Sequence, residues 1–380
     1  MMFQRIKHID KVILGLILFL VAISIIAITS ATRANITGDY SYVIKQCMWF
    51  GIGFVAMLFI IVYDFSQFDE NFRMFGAIVI YFLNIALLVF VLFIGTTAKG
   101  AERWIEIVGF RFQPSEFAKV IMIFCIAVFL SKSAENINKI WVLAINLILL
   151  AIPMILIIIQ PSLSTSLVFI AIFAAQIFVA DIDYKYIIFG VVLVVLLLFA
   201  LRLDAKQEDP IFLRDYQAKR ILALFEPDKY QKEEAYQTRK SVEAIGSGQL
   251  AGKGIYKGNL NKAEYLPEPH TDFIFSIIAE ESGFLMCAMI IIIYALLIYR
   301  IVDIALRVSD KFKKYLVVGV AAMIAFQAFV NIGVVSGMLP STGMPLPFLS
   351  YGGSSMITNM IAIGMVLNLD TSSKNRYMLI

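Results

Sequence analysis

The sequence predicts an all-α polytopic membrane protein of about ten transmembrane helices, with both termini in the cytoplasm. Three observations predict it. Hydrophobic residues make up 60% of the 380 and charged residues 16%, at a mean hydropathy of +0.84, a balance that excludes a soluble globular chain. The apolar residues gather in ten runs of spanning length, near 12–31, 44–64, 74–96, 115–131, 140–159, 163–181, 184–201, 271–302, 314–336 and 350–369. Lys and Arg then fall where ten crossings put the cytoplasm: Arg5, Lys7 and Lys11 before the first run, Arg300, Arg307, Lys311, Lys313 and Lys314 between the eighth and ninth, Lys374 and Arg376 after the last.

The first run is too long for a signal-peptide core and has no convincing cleavage site, so it reads as an uncleaved anchor. Only Gln160-Pro161-Ser162 separates the fifth run from the sixth, and Asp181-Ile182-Asp183 the sixth from the seventh. A merge at either point would invert everything downstream. The chain reads as a single membrane domain over 1–380, with a large extracytoplasmic loop, 202–270, between the seventh and eighth helices. The net charge of +4 is modest and acts through its placement in loops, which leaves no nucleic-acid partner. Cys47, Cys125 and Cys287 all lie in apolar runs, so neither a disulfide framework nor a metal site is expected.

Three loops share the outer side by the same parity: 97–114 with Trp104, 202–270 and 337–349. They place the functional site outside the cell. The stretch 264–283, EYLPEPHTDFIFSIIAEESG, is its centre. Pro267 and Pro269 bar regular helix before His270, and from Phe273 the chain is apolar enough to enter the bilayer. Asp272 therefore sits at a water-membrane boundary, either as a reactive carboxylate or, with Thr271, as a helix cap. Within 211–225, apolar Ile211, Phe212, Leu213, Ile221, Leu222 and Phe225 alternate with Arg214, Lys219 and Arg220, as in a helix lying among headgroups. Those cations either hold phosphate or snorkel at the interface.

The run Gly246-Ser247-Gly248, Gly252-Lys253-Gly254 invites a phosphate-loop reading, and the spacing refuses it: Ser247 stands where the first glycine belongs and Gly254 where Ser or Thr belongs. A turn whose backbone approaches a ligand fits better. Glu280 and Glu281 lie two helical turns into the eighth run, and Glu116 and Lys119 sit at i, i+3 spacing early in the fourth. Ionisable groups at that depth face a polar cavity or a partner, so Lys119 serves either an interhelical ion pair or the chemistry. Pro340, Pro345 and Pro347, among Gly337, Ser341, Thr342 and Gly343, break the helix beyond the ninth run, and Tyr351-Gly352-Gly353-Ser354-Ser355 opens the last with small residues.

The strings RWIEIVGFRFQPSEFAK at 103–119, RDYQAKRILALFEPD at 214–228, AIGSGQLAGKG at 244–254, LPEPHTDFIFSIIAEESG at 266–283 and LPSTGMPLPFLSYGGSS at 339–355 resemble the SEDS family of shape, elongation, division and sporulation proteins, which comprises RodA, FtsW and SpoVE. The resemblance spans nearly the whole chain in order, and the first two strings are worded more like the RodA branch. It implies a ten-span peptidoglycan glycosyltransferase of cell-wall biogenesis that polymerises lipid II during cell elongation and cell-shape maintenance. Its implied partners are a class B penicillin-binding protein (the transpeptidase), other elongation-complex proteins and membrane lipids. The family's essential aspartate corresponds to Asp272, its important outer-loop tryptophan to Trp104, and its paired charges to Glu116 and Lys119. One departure stands out: where the family commonly has aspartate, this chain has Ser162 in Gln160-Pro161-Ser162-Leu163-Ser164-Thr165.

The residues alone suit the same chemistry. Glycosyl transfer from a lipid diphosphate needs a base, positive charge for the leaving group, and an apolar groove for the lipid tails. Asp272 is the candidate base, with His270 and Thr271 positioning it, Ser341 and Thr342 across the site, and Arg214, Lys219, Arg220 or Lys253 meeting the diphosphate. A single base implies single displacement with inversion. Trp104 either stacks on a sugar or anchors at the interface. The residues announce no resident cofactor and leave open whether a metal takes part; a divalent cation, Mg or Mn, would be held largely by substrate phosphate. Two other classes stay open: a lipid II flippase, for which Glu116, Lys119, Glu280 and Glu281 would line a polar path, and a scaffold that only recruits the transpeptidase.

Overall fold

The structure is a computed structural model that describes residues 9–63, 68–94, 96–98, 101–107, 110–207, 210, 218, 222, 234–259 and 269–377. Each of the ten apolar runs forms a helix: α1 Lys11–Ala31, α2 Ser41–Val62, α3 Glu70–Ile94, α4 Pro114–Lys132, α5 Ile140–Ile159, α6 Leu163–Val179, α7 Tyr184–Ala205, α9 Ile274–Arg307, α10 Lys311–Val335 and α11 Gly353–Tyr377. Among the described residues, eight of these are long and apolar enough to cross a membrane. The other two are α6, only 17 residues long, and α11, which carries Asn359, Asn368 and Asp370. Pro161 and Ser162 keep α5 and α6 apart, and Asp181 at φ 61° turns the chain between α6 and α7.

The packing explains the composition. α4, α6, α9, α10 and α11 are inner helices, and their facing sides supply most of the continuous hydrophobic core. α2 lies along α11, and glycines set their separation. A Cβ on Gly53 would meet Met360 Cγ at 3.0 Å, and one on Gly364 would meet the Met57 Cα at 3.1 Å. Small residues there let two backbones approach closely, and at the small-residue start of α11 that the sequence singles out, a Cβ on Gly353 would meet the Trp49 ring at 2.5 Å. By contrast α7 presents Ile188, Phe189, Val191 and Leu193 outward, all more than half exposed, as suits a helix in lipid. Cys125 and Cys287 are buried and Cys47 is exposed; all three are free thiols.

Two elements go beyond the sequence reading. The 97–114 loop contains a three-stranded antiparallel sheet, β1 Thr96–Ala98, β2 Ala101–Ile107 and β3 Phe110–Phe112, with Thr96 opposite Trp104 and Ile105 opposite Phe112. The large loop contains α8, Glu234–Ser247, which packs on α9 and α10. Of the interfacial helix expected over 211–225, only Ala218 and Leu222 are described. Both are buried against Leu201 and Ala205 at the end of α7. Arg214, Lys219 and Arg220 lie outside the described residues, as do Arg5 and Lys7.

Candidate active site

The three loops do meet at one end of the bundle. Residues 269–273 form a turn ahead of α9, and the cap of that helix is Phe273, not Thr271 or Asp272. The turn is fastened through its carbonyls. Tyr351 N–H donates to His270 O at 2.9 Å, Ser350 Oγ to Thr271 O at 2.6 Å, and Asn331 Nδ2 to Asp272 O at 2.9 Å. Asn331, on α10, also donates to Met344 O at 2.7 Å, so one buried amide joins the turn to the Pro-Gly segment. The capping alternative for Asp272 thus gives way to a turn held by its backbone, which leaves the carboxylate's placement to its surroundings.

The 340–350 segment is irregular yet buried: Met344, Leu346, Phe348 and Leu349 all lie in the core. Irregular backbone at this depth is tolerated because protein, not lipid, surrounds it. Its polar groups are met one by one. Ser24 Oγ donates to Leu349 O at 2.6 Å, Gln46 Nε2 to Ser350 O at 3.2 Å, the Leu346 N–H to Ser350 Oγ at 2.8 Å, and the Tyr294 hydroxyl to Pro347 O. Held this way, the segment brings Gly343 against Asp272: a Cβ on that glycine would lie 3.5 Å from Asp272 Oδ2. Half-buried Asp272 therefore faces the backbone at Gly343, next to Ser341 and Thr342 in the chain. Thr342 Oγ1 is buried and donates to no partner among the described residues.

Around this pair lies an aromatic wall that the sequence does not announce. The rings of Tyr42 and His270 are 4.7 Å apart, those of Tyr42 and Tyr351 5.2 Å, and those of His270 and Tyr351 5.3 Å. Arg111, on β3, reaches the electrostatic neighbourhood of Tyr351, adding a cation to this end of the bundle. The Gln113 N–H donates to Ser354 Oγ at 3.0 Å and ties the sheet to the start of α11. Trp104 is half-buried on β2, where the sheet leans on α3 and α4. At the same end the Asp39 carboxyl is held below its ordinary value, chiefly by the Ser41 backbone N–H.

The acidic pair Glu280 and Glu281 is buried and meets partners, the second of the two settings expected at that depth. α9 breaks at Gly283, at φ 71° and ψ −170°, a conformation essentially confined to glycine. The loop after α8 fills the break. Lys253 and Gly254 N–H groups donate to Glu280 O and Glu281 O at 3.0 and 2.9 Å, while Phe284 and Leu285 N–H groups donate to Gln249 O and Leu250 O at 2.8 and 3.2 Å. The approach is close enough that a Cβ on Gly252 would sit 2.1 Å from Glu281 O. The glycine-rich run thus lets backbone approach a helix, which corrects the ligand-turn reading. Lys253 Nζ pairs with Glu280 Oε1 at 2.6 Å, and the Asn259 N–H donates to the same oxygen at 2.8 Å. Glu281 accepts from Ser30 Oγ on α1 and from the Gly258 N–H at 3.4 Å. Glu280 is about 9 Å along the helix from Ile274 at the ordinary rise per residue. In this structure, then, Lys253 serves the helix break and stands away from Asp272.

Lys119 and Glu116 are also paired, Nζ to Oε2 at 2.8 Å, with both residues buried. The pair lies within α4 and so is not the interhelical bridge that the sequence allowed. Ser162 takes a structural place at the start of α6, its Oγ 2.9 Å from Thr165 Oγ1. Among the described residues no three His, Cys, Asp or Glu side chains gather to hold a metal.

The family model for the FtsW, RodA and SpoVE proteins, described as cell cycle proteins, matches residues 8–375. The chain belongs to this SEDS family. It is 34% identical to the probable peptidoglycan glycosyltransferase FtsW of Geobacter metallireducens, over 98% of this chain and 97% of that one. It is also 34% identical to stage V sporulation protein E of Bacillus subtilis, with 96% of both covered, and to the peptidoglycan glycosyltransferase MrdB of Escherichia coli K12, with 97% and 95% covered. These relatives match at one level of identity, so identity does not separate the branches of the family. Among solved structures, a chain of a peptidoglycan synthase complex, described for its structural coordination of polymerization and crosslinking, aligns at a TM-score of 0.78 and 26% identity. The alignment covers 97% of this chain and 98% of that one. The Thermus thermophilus rod shape determining protein RodA aligns at 0.67 and 26% over the same shares. The all-α polytopic membrane fold is thus common to the chain and its relatives.

Proposed function

We propose that the protein is a peptidoglycan glycosyltransferase that polymerises lipid II on the outer face of the bacterial cytoplasmic membrane during cell elongation. The observation that carries the reading is Asp272, half-buried on a turn fastened through three consecutive carbonyls and facing Gly343, in a chain matched end to end by relatives named for this activity. The flippase alternative draws no support from those names. The RodA-like wording of 103–119 favours elongation over division.

In the proposed step Asp272 takes the proton of the acceptor sugar hydroxyl as its oxygen attacks the anomeric carbon of the donor. The bond from that carbon to the diphosphate breaks, and the lipid diphosphate leaves with the electron pair. Attack from one face and departure from the other inverts the anomeric centre. A base that is aligned before reaction contributes about 10²- to 10⁴-fold. Asn331, Ser350 and the Tyr351 N–H supply the alignment by holding the turn. Arg111, with Arg214, Lys219 and Arg220, supplies positive charge for the departing diphosphate, and Trp104 a face for sugar. A Mg or Mn ion would arrive on the substrate diphosphate. A class B penicillin-binding protein joins the new strands, and other elongation-complex proteins assemble around the pair.

The test is glycan synthesis from labelled lipid II by purified protein with its transpeptidase in detergent, where nothing needs to be flipped. Wild type is expected to make polymer and Asp272→Ala none. Polymer from the alanine variant at the wild-type rate would remove Asp272 from the chemistry.

A further inference from the structure

Tyr42 is the second residue of α2, at the end of the bundle that carries Asp272, and it is 39% exposed. Its side of the helix points inward all the same. Gln46, one turn further along that side, is wholly buried and donates to Ser350 O, while the Tyr42 ring itself meets His270 and Tyr351. An interfacial anchor turns its ring to the headgroups; a ring that faces the protein and stays open lines a mouth. Neither aromatic neighbour stacks flat on it, since the ring planes meet at 57° with His270 and 72° with Tyr351. Both neighbours are fixed: the Tyr351 N–H holds the His270 carbonyl, His270 is buried, and Trp49 donates to the Tyr351 hydroxyl. Asp272 is close by, because His270 and Asp272 share one turn and two peptide steps separate their Cα atoms by no more than about 7.6 Å.

We infer that Tyr42 is the face on which a sugar ring of the lipid-linked substrate stacks, with His270 and Tyr351 as its rigid backing. Two features select a sugar. A pyranose turns a flat patch of C–H groups to its partner and carries hydroxyls around the edge, so it fits a flat apolar ring with polar groups beside it. Tyr42 has that border: Asp39 and Ser41 precede it in the chain, the His270 imidazole touches it, and exposed Arg111 lies toward Tyr351. A polyprenyl tail asks for an apolar border and is served poorly by these groups. The second feature is the distance to Asp272, which keeps a sugar seated on Tyr42 within reach of the carboxylate. The inference rests on the glycosyltransferase reading for its substrate and adds a residue on α2, a helix to which that reading gives no part.

The experiment measures the affinity of the full-length protein in detergent for lipid II and for a polyprenyl diphosphate of the same chain length without sugars, alongside polymer synthesis and thermal melting of each variant. Wild type is expected to prefer lipid II. Tyr42→Ala should cut that preference about tenfold, the worth of roughly 50 Å² of apolar contact, and leave affinity for the bare diphosphate unchanged. Tyr42→Phe keeps the flat face and should keep the preference, and Tyr40→Ala, at an exposed tyrosine two residues away, should change neither affinity. An undiminished preference in Tyr42→Ala overturns the inference. So does an equal loss for both ligands, which marks an interfacial anchor, or the same loss of preference in Tyr40→Ala. Should Tyr42→Ala melt early, Tyr42→Leu decides, because leucine keeps apolar bulk against His270 without a flat face. Polymer from wild type with a preference indifferent to Tyr42 sinks the stack alone. A Tyr42-dependent preference with no polymer from wild type sinks the glycosyltransferase and leaves the sugar site standing.

Discussion

Replacing Asn331 with leucine tests whether the Asp272 turn owes its geometry to the helix behind it. The side chain is buried, and its Nδ2 alone bonds both Asp272 O and Met344 O, at 2.9 and 2.7 Å. Leucine keeps the volume and removes both bonds, about 1 kcal/mol each, and strands two carbonyls at about 1 kcal/mol or more apiece. The Asn331 Oδ1 has no partner, so its removal returns part of that. The net is roughly 2–3 kcal/mol, concentrated on the contact between the Asp272 turn and the 343–344 backbone. A cost of that size lets the turn shift, and a displacement near 1 Å at a reacting group is worth about 100-fold in rate. The assay is polymer formation from labelled lipid II, with kcat and KM separated by varying lipid II. The expected result is a kcat lowered about 100-fold with KM changed little, since on the proposed reading Asn331 aligns the base and has no apolar surface for lipid tails. A wild-type kcat in a protein that melts lower would show that Asn331 only holds the fold, and would refute the alignment argument.

The remaining predictions address the base, the helix break and the buried ion pair. Asp272→Ala should lose polymer synthesis by about 10²- to 10⁴-fold while still inserting and folding, and Asp272→Glu should keep a trace, both read by gel analysis of glycan products. Gly283→Ala should lower the melting temperature, because φ 71° with ψ −170° costs a side-chain-bearing residue about 1–3 kcal/mol and its Cβ would lie 2.3 Å from Gly252 N. Lys119→Met should destabilise by about 3–5 kcal/mol by leaving Glu116 buried without its cation. The double variant Glu116→Gln with Lys119→Met should recover most of that loss, and additive losses in thermal melts would argue against a coupled pair.

How far the chain could be read tracks the range of the interactions. Helices announce themselves through local composition, so the ten apolar runs became ten helices with ends shifted by a few residues. The Pro-Gly break after α10 and the turn before α9 are equally local, because Pro269, Pro340 and Pro347 forbid regular helix wherever they fold. α8 was missed because its sequence, EAYQTRKSVEAIGS, is polar and its helix is short; its place is fixed by packing on α9 and α10. The sheet at 96–112 had a signal, the apolar-polar alternation of Ile105-Glu106-Ile107 and Phe110-Arg111-Phe112, but a membrane reading directs attention to runs instead. Nothing local marks Asn331, Gln46 or Tyr42 as neighbours of the site. Gln46 meets Ser350 across 304 positions, and only the assembled bundle brings them together. The pairing of Lys253 with Glu280 is of the same kind: the cation looked available until the helix break claimed it.

The break in α9 also ties insertion to site assembly. Four peptide hydrogen bonds at residues 280–285 come from residues 249–254, a segment synthesised before the helix it completes. Should that segment stay on the wrong side of the bilayer, the helix enters lipid with peptide groups at Glu280, Glu281, Phe284 and Leu285 unmatched, each at a cost of several kcal/mol. Placement of the loop on the side of the membrane where α9 begins is thereby a condition for a stable helix. A chain whose loop and helix end lie on different sides of the bilayer leaves those groups unmatched, so the Asp272 turn is completed only in copies that bring the two together.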